Sequence, residues 1–351
     1  MSVRRMHRPF RPRQQGLSLV ELLVAIAINL IVVAAAAYLY LASRQTQRSS
    51  DEFVAMNESG QFALEMLGRE LENAGFYPAV RIDDPTQDTE NVLSGYTNPL
   101  GTDPANDAFD AGLFGCNNAN FKATTLACEA HASPAPAADT LVVNYYTNDA
   151  LSRDIGQRTD CERQLVSEAA VNASRTTAAQ RAQAEGAPPL RPLFVSNQYT
   201  LKPVTFNIDN QSISTFGLSC NGNGGTTADD AYEPVVAGIE ELRFRYGVFT
   251  DATTLQPDTF LSAADVTSAD DVVINGVARD GWSRVVAVEV CLVVRSLASV
   301  KMESADAAPF QYTDCSGTTQ TPTDRVLRKV FRQVFAVRNH LSQTYPVTPN
   351  D

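Results

Sequence analysis

From Leu17 to Ala42 the chain reads LSLVELLVAIAINLIVVAAAAYLYLA, in which Glu21 is the one charged residue and Asn29 the one other strongly polar side chain. About 20 apolar residues span a bilayer as a helix, so this run is long enough to cross one. Past Ala42 polarity rises, yet Phe53, Met56, Gly60, Ala63, Leu64, Leu67 and Leu71 recur at spacings of three and four. Asp51, Glu52, Glu58, Gln61, Glu65, Arg69 and Glu72 fill positions between them, which predicts an amphipathic helix with one apolar stripe. No Pro falls between Arg13 and Pro78, so one helix is expected from Leu17 to about Asn73, roughly 85 Å long at 1.5 Å per residue. Asn73-Ala74-Gly75 supplies the stop, with Gly75 available for a left-handed cap.

Beyond Pro78 the pattern changes to strands and punctuation. Residues 81–138 are rich in Asp, Asn, Thr, Gly and Pro and read mostly as loop, with Ala132–Ala138 (ASPAPAA) as a short linker. Leu141–Tyr146 reads as a strand. Residues 162–186 read as a surface helix or an insertion. In Ile239–Tyr246, Leu242, Phe244 and Tyr246 face one way and Glu241, Arg243 and Arg245 the other, the alternation of a half-buried antiparallel strand. Val285–Val294 is almost wholly apolar and β-branched, broken by Glu289, and reads as a central strand. Val326–Val337 mixes Arg with Val and Phe and reads as a final strand. Antiparallel strands packed on a long N-terminal helix make an α+β fold.

Charge adds a division that the hydrophobic pattern does not show. The 351 residues hold 28 Lys plus Arg against 40 Asp plus Glu, a formal charge of −12. Residues 1–16 contain five Arg and no acid, so subtracting +5 from −12 leaves −17 for residues 17–351. A basic head before an apolar run stays cytoplasmic by the positive-inside rule, which sends the acidic body outward. Three ordinary readings compete: a cleavable secretory signal, a plain signal anchor and a buried core helix. The apolar run is much longer than the 7–15 residues of a signal-peptide core. Its length and basic flank disfavour a core helix.

Glu21 decides among them. A carboxylate in a membrane segment costs roughly 2.5–3.5 kcal/mol at the centre on insertion scales, less near an end, and is functional by default. Cutting after Gly16 would free the α-amine of Leu17 and make Glu21 the fifth residue of the mature chain. Gly16-Leu17-Ser18-Leu19-Val20-Glu21-Leu22 resembles the prepilin peptidase motif of type IV pilins and type II secretion pseudopilins. The resemblance implies cleavage after Gly16, methylation of Leu17, and a role for Glu21 in subunit recognition and assembly. That family usually has Phe where Leu17 stands, and the leader is somewhat long, with Met6 an alternative start. An α-amine and a carboxylate of neighbouring subunits are each costly alone in a low dielectric and cheaper paired, which favours a defined offset between packed helices.

Asn57–Leu71 followed by Ala74-Gly75-Phe76-Tyr77 is similar to the PilW family of minor pilins, with Ser59-Gly60-Gln61 where members carry Asn-Gly-Arg. Val236–Gly247, Trp282–Ser296 and Arg325–Asn339 resemble that family's later strands, so the likeness covers residues 16–77 and 235–340. Major pilins often have Pro at the position Tyr38 holds, so local helix melting on assembly is not implied here. The organisation expected is a leader at 1–16, a membrane and assembly half-helix at 17–42 and an amphipathic half-helix at 43–75. A variable head region at 76–234 and a β-sheet head region at 235–351 follow. The resemblance implies a pilin-like α+β fold, residence in the inner membrane, and delivery to the fibre. Its implied partners are prepilin peptidase, other minor pilins, the major pilin and a PilY-type tip adhesin. An acidic body does not favour direct nucleic-acid capture.

Six cysteines, Cys116, Cys128, Cys161, Cys220, Cys291 and Cys315, all lie beyond the apolar run. An even count in an exported domain suggests disulfides, with fifteen full pairings open. Neighbours in sequence suggest 116–128 and 291–315, leaving 161–220. No pair has zinc-type spacing, and no cofactor is expected. His7, His131 and His340 fit no catalytic motif, and no hydrolase or phosphate-loop signature occurs. Asp103, Asn106, Asp107 and Asp110 make one oxygen-rich loop, and Asn221–Gly225 through Asp229-Asp230 another. Calcium takes such ligands, and turn chemistry accounts for both loops equally well. The alternatives to a minor pilin are a J-type secretion pseudopilin and a membrane-anchored periplasmic enzyme.

Overall fold

The computed structural model describes residues 18–76, 112–147 apart from 124, 126 and 134, 159–164, 193–224 apart from 209 and 210, 232–250, 256–274, 277–297, and 310–339 apart from 325. The leader with Gly16 and Leu17, the loop at 103–110, residues 165–186 and 225–231, and His340 lie outside the described residues. Two compact units divide the chain, residues 1–51 and 52–351.

Helix α1 spans Leu19–Asn73. Within the first unit its 18-residue apolar window has a mean hydropathy of 2.6 and no buried position. Leu19, Leu22, Leu23, Ile26, Leu30 and Val33 all stand at least 49% exposed. An apolar surface of this size without a covering layer suits lipid or packed helices rather than water.

In the second unit α1 buries Met56, Gly60, Ala63, Leu64, Leu67, Gly68 and Leu71, the stripe that the three–four spacing predicts. Each fully buried Leu there contributes roughly 1.5–3 kcal/mol. Phe53 departs from that expectation. It is 47% exposed, with the Lys329 ammonium 5.4 Å from its ring centre. The helix ends where expected, with Gly75 at φ 67°. Asn339 Nδ2 donates to the carbonyls of Glu72 and Ala74 at 3.1 and 3.0 Å, satisfying acceptors that a helix C-terminus leaves open.

The strands are β1 (Leu113–Cys116), β2 (Ala119–Lys122), β3 (Ala127–Ala130), β4 (Ala137–Ala138), β5 (Thr140–Thr147), β6 (Leu193–Ile208), β7 (Gln211–Gly222) and β8 (Glu233–Ala237). They continue as β9 (Ile239–Val248), β10 (Thr259–Leu261), β11 (Val272–Ile274), β12 (Val277–Arg279), β13 (Val285–Arg295), β14 (Tyr312–Thr313), β15 (Thr319–Gln320) and β16 (Arg328–Ala336). One antiparallel sheet has the order β1-β5-β6-β7-β8. The other has the order β10-β9-β13-β16, with β4 added to β9 in parallel. The pairs β2–β3, β11–β12 and β14–β15 are separate hairpins. A short helix α2 spans Ala263–Thr267. Leu64, Leu67 and Leu71 of α1, Leu141 of β5, Tyr199 of β6, Phe244 and Tyr246 of β9, and Val288, Val290 and Leu292 of β13 share one core.

The α+β class holds, and β9, β13 and β16 fall where alternation and apolar content put them. On β9, Leu242, Phe244 and Tyr246 are buried while Arg245 is exposed. Two expectations are corrected. Residues 113–138 carry four short strands rather than loop, because Leu113–Cys116 pairs with β5 although its four residues are too short to show a period. Ala137–Ala138, read as linker, pairs with Glu241–Leu242 of β9. The longest strands among the described residues, β6 and β7, carry no strand signal in the sequence pattern. One face of this ribbon carries Thr205 opposite Ser214 and Asn207 opposite Ser212, so hydrophobicity alone does not mark it.

Gly60 and Gly68 let α1 approach β16. A β-carbon on Gly60 would sit 2.6 Å from Phe331 Cζ, and one on Gly68 2.7 Å from Phe335 Cδ1. Gly68→Ala is therefore expected to destabilise the chain by roughly 1–3 kcal/mol through overpacking. Adding Phe335→Leu should recover most of that loss. Thermal unfolding of both variants checks it, and additive effects would break the contact argument.

Candidate functional site

Ser18 and Glu21 form a reciprocal cap at the start of α1. The Ser18 N–H donates to Glu21 Oε2 at 3.0 Å, and the Glu21 N–H donates to Ser18 Oγ at 3.2 Å. This capping box satisfies two N–H groups that a helix start leaves open. The carboxylate is at the surface, at one end of the uncovered apolar run.

The head offers charged clusters, and their geometry is structural. Asp139 is 3% exposed and accepts from the Asn118 N–H at 2.8 Å, Arg243 Nη1 at 3.0 Å and the Phe244 N–H at 3.0 Å. Its own N–H donates to Leu242 carbonyl oxygen, so one residue joins the β1–β2 turn to β9. Arg328 donates to Asp324 at 2.7 Å and to Glu240, and these carboxylates hold its guanidinium firmly protonated. Asp314 accepts from Ser316, Gln320 and Thr318, which bring its pKa down to about 2. Asp139, Glu240, Arg243 and Asp314 line an open groove of about 740 Å³ beside β9. Asp139 and Asp314 are already engaged by donors, as is Glu241 by Arg243 and the Cys315 N–H. No group of three or more His, Cys, Asp or Glu residues suited to a metal occurs among the described residues. In the second oxygen-rich loop, Asn223 accepts from the Ser196 N–H and Gly224 donates to Asp160. His131 is half-buried against the Ala138 carbonyl at 2.7 Å, and burial lowers its pKa.

Disulfides join Cys116 to Cys128, Cys161 to Cys220 and Cys291 to Cys315. They tie β1 to β3, the 159–164 turn to β7, and β13 to the β14–β15 hairpin.

A family model described as Type IV Pilus-assembly protein W matches residues 205–339. A second, the prokaryotic N-terminal methylation motif, matches residues 11–37. The chain thus carries a PilW-type segment and an N-terminal methylation motif, as type IV pilin-like proteins do. The first matched segment runs from within β6 to Asn339, the residue that caps α1. Among solved structures it is similar to a type IV-like pilin, TTHA1219, from Thermus thermophilus, at 11% identity over 57% of this chain and 78% of that one. The TM-score is 0.27, too low for that likeness to carry weight. No curated protein matches the chain. These two matches point to a structural protein rather than an enzyme, and imply contact with other pilus components and peptidase processing. The apolar helix and the motif fit an inner-membrane-anchored pilin.

Glu70 is a half-buried acid that its sequence context does not single out. It accepts from Asn197 Nδ2 at 2.8 Å and from the Tyr199 hydroxyl. Burial raises its pKa, and the two hydrogen bonds only partly offset this. The available signal was spacing, because Glu70 falls three past Leu67 and seven past Ala63, on the apolar stripe. A raised folded-state pKa means that Glu70 stabilises the fold most below the ordinary glutamate value. That contribution is lost as pH rises through the raised value. Glu70→Gln should therefore flatten this part of the stability–pH curve and leave the chain at least as stable at pH 7. Denaturation of both proteins at pH 4 and pH 7 checks it; an unchanged slope would count against the assignment.

Proposed function

We propose that the chain is a minor pilin, cut by prepilin peptidase after Gly16 and methylated on Leu17. The inner membrane holds it by residues 17–42 until it enters the fibre. There it acts with other minor pilins and a PilY-type adhesin to prime assembly at the tip, above the major pilin. The observation that carries this reading is Glu21, a carboxylate at the end of an unburied apolar helix inside the matched methylation motif. To a simple anchor the carboxylate is worth only its helix cap, while to a packed bundle its charge has a further, defined value. The size of the head supports the tip position, since a lateral subunit must fit a repeating lattice and a terminal one has a free side. The PilW match over residues 205–339 favours this reading over a J-type secretion pseudopilin.

N-terminal sequencing of the protein from membranes of cells containing prepilin peptidase tests it. The expected first residue is N-methylated Leu17. A mature chain that begins at Met1 or Met6 overturns the processing step. Immunogold labelling of sheared fibres then tests position, with label expected at fibre ends and not along their length.

A further inference from the structure

We propose that the Cys161–Cys220 disulfide is an oxidation-dependent latch that holds the last turns of α1 onto the sheet through Asn197 and Glu70. The inference rests on the reading above only in that export brings the thiols to an oxidising compartment.

The latch is a continuous series of contacts. Asp160–Gln164 forms a tight turn on the end of β7. Asp160 Oδ1 accepts from the N–H groups of Glu162 and Gln164 at 3.0 and 2.9 Å, and Oδ2 accepts from the Gly224 N–H at 2.7 Å. The Asp160 carboxylate also occupies the space where a side chain on Gly222 would lie. Cys161 in this turn is bonded to Cys220, which stands opposite Tyr199 in the β6–β7 register. Asn197 lies two residues before Tyr199, so both side chains share one face of β6.

Asn197 passes the effect of the turn to the helix. The Cys161 N–H donates to Asn197 Oδ1 at 3.1 Å, which leaves Nδ2 to donate to Glu70 Oε2 at 2.8 Å. An amide held at its oxygen cannot turn over and present that oxygen to a carboxylate. Without the Cys161 N–H, Asn197 loses this orientation, and the partly desolvated Glu70 carboxylate loses a donor. Asn197 is thus a positioning residue. It reports the state of a loop to Glu70, three residues before the end of α1 at Asn73.

The covalent step balances as thiol–disulfide exchange. The Cys161 and Cys220 thiols give up two protons and two electrons to the disulfide of an exchange partner, which leaves as a dithiol. The bond closes a separation of 59 residues. It joins β7 to a turn within the connection between β5 and β6, whose end residues Thr147 and Leu193 already face each other in register.

The test is amide hydrogen exchange on the purified full chain in detergent micelles, read on peptides covering Leu67–Asn73. The proteins are the oxidised chain, Cys161→Ala/Cys220→Ala, Asn197→Ala and the triple variant. The other two disulfides remain in all four, so the state of this bond alone is compared, and the readout needs no pilus. Losing one hydrogen bond to a charged group corresponds to roughly tenfold faster exchange. The expected result is such an increase in the Cys variant, a similar one in Asn197→Ala, and little more in the triple variant. An increase confined to residues 159–164 and 217–222, or effects of the two changes that simply multiply, overturns the latch. If the Cys variant does not fold, Asn197→Ala with its disulfide intact decides, and unchanged exchange at 67–73 overturns the proposal.

Discussion

Glu21→Ala is expected to leave the chain inserted in the membrane and to abolish its contribution to piliation. Insertion becomes easier by up to roughly 2.5–3.5 kcal/mol, because a charge leaves the apolar segment. Assembly loses an ion pair in a low dielectric, and removing one partner of such a pair costs roughly 3–5 kcal/mol, more than a hundredfold in an equilibrium. The substitution also breaks the Ser18–Glu21 cap, worth about 1 kcal/mol, so the alanine variant alone does not separate charge from helix capping. Glu21→Gln does. Glutamine serves in a capping box but carries no charge. If intersubunit pairing is the role of Glu21, Gln and Ala variants fail alike in yield of sheared fibres while both fractionate with membranes. Wild-type yield from the Gln variant would leave only the capping role.

The largest stability effect is expected at Asp139. Asp139→Ala strips the Arg243 guanidinium and the Asn118 and Phe244 N–H groups of their shared acceptor. Breaking a buried pair from one side typically costs 3–5 kcal/mol, and about 3 kcal/mol is expected because Arg243 keeps Glu241 as a second partner. Asp139→Asn retains one acceptor oxygen and should lose less. Trp282, the single tryptophan, is 1% exposed and packs 4.8 Å from Tyr246 and 5.1 Å from Phe114 by ring centres. Its fluorescence reports the core between the two sheets during denaturation. A loss below about 1 kcal/mol for Asp139→Ala would show that the three donors find water or other acceptors.

The legible parts of the fold were those with an uninterrupted period. The stripe from Met56 to Leu71 repeats with the helix, and Leu242, Phe244 and Tyr246 repeat with the strand, so each states its buried face locally. The short strands β1 to β4 and the polar ribbon β6–β7 have no such statement to make. Their identity comes from partners far along the chain, as when Ala137–Ala138 meets Glu241–Leu242. Phe53 shows the opposite limit. Its spacing suits the stripe, but nothing buries it, because burial needs an opposing surface as well as a period.

The sequence alone determined the N-terminal methylation motif, the apolar helix with its single acid, and the later strands, because each depends on residues close together in the chain. Glu21 was readable for the same reason: a charge in an apolar run is anomalous without knowledge of any other element. Only the tertiary structure decided what Asp139, Glu70 and Asn197 do. Each is an ordinary polar residue whose meaning comes from the donors or acceptors that remote segments bring to it. Asn197 meets Glu70 across 127 positions and Asp139 meets Arg243 across 104, and no local pattern encodes which buried polar group will find which partner.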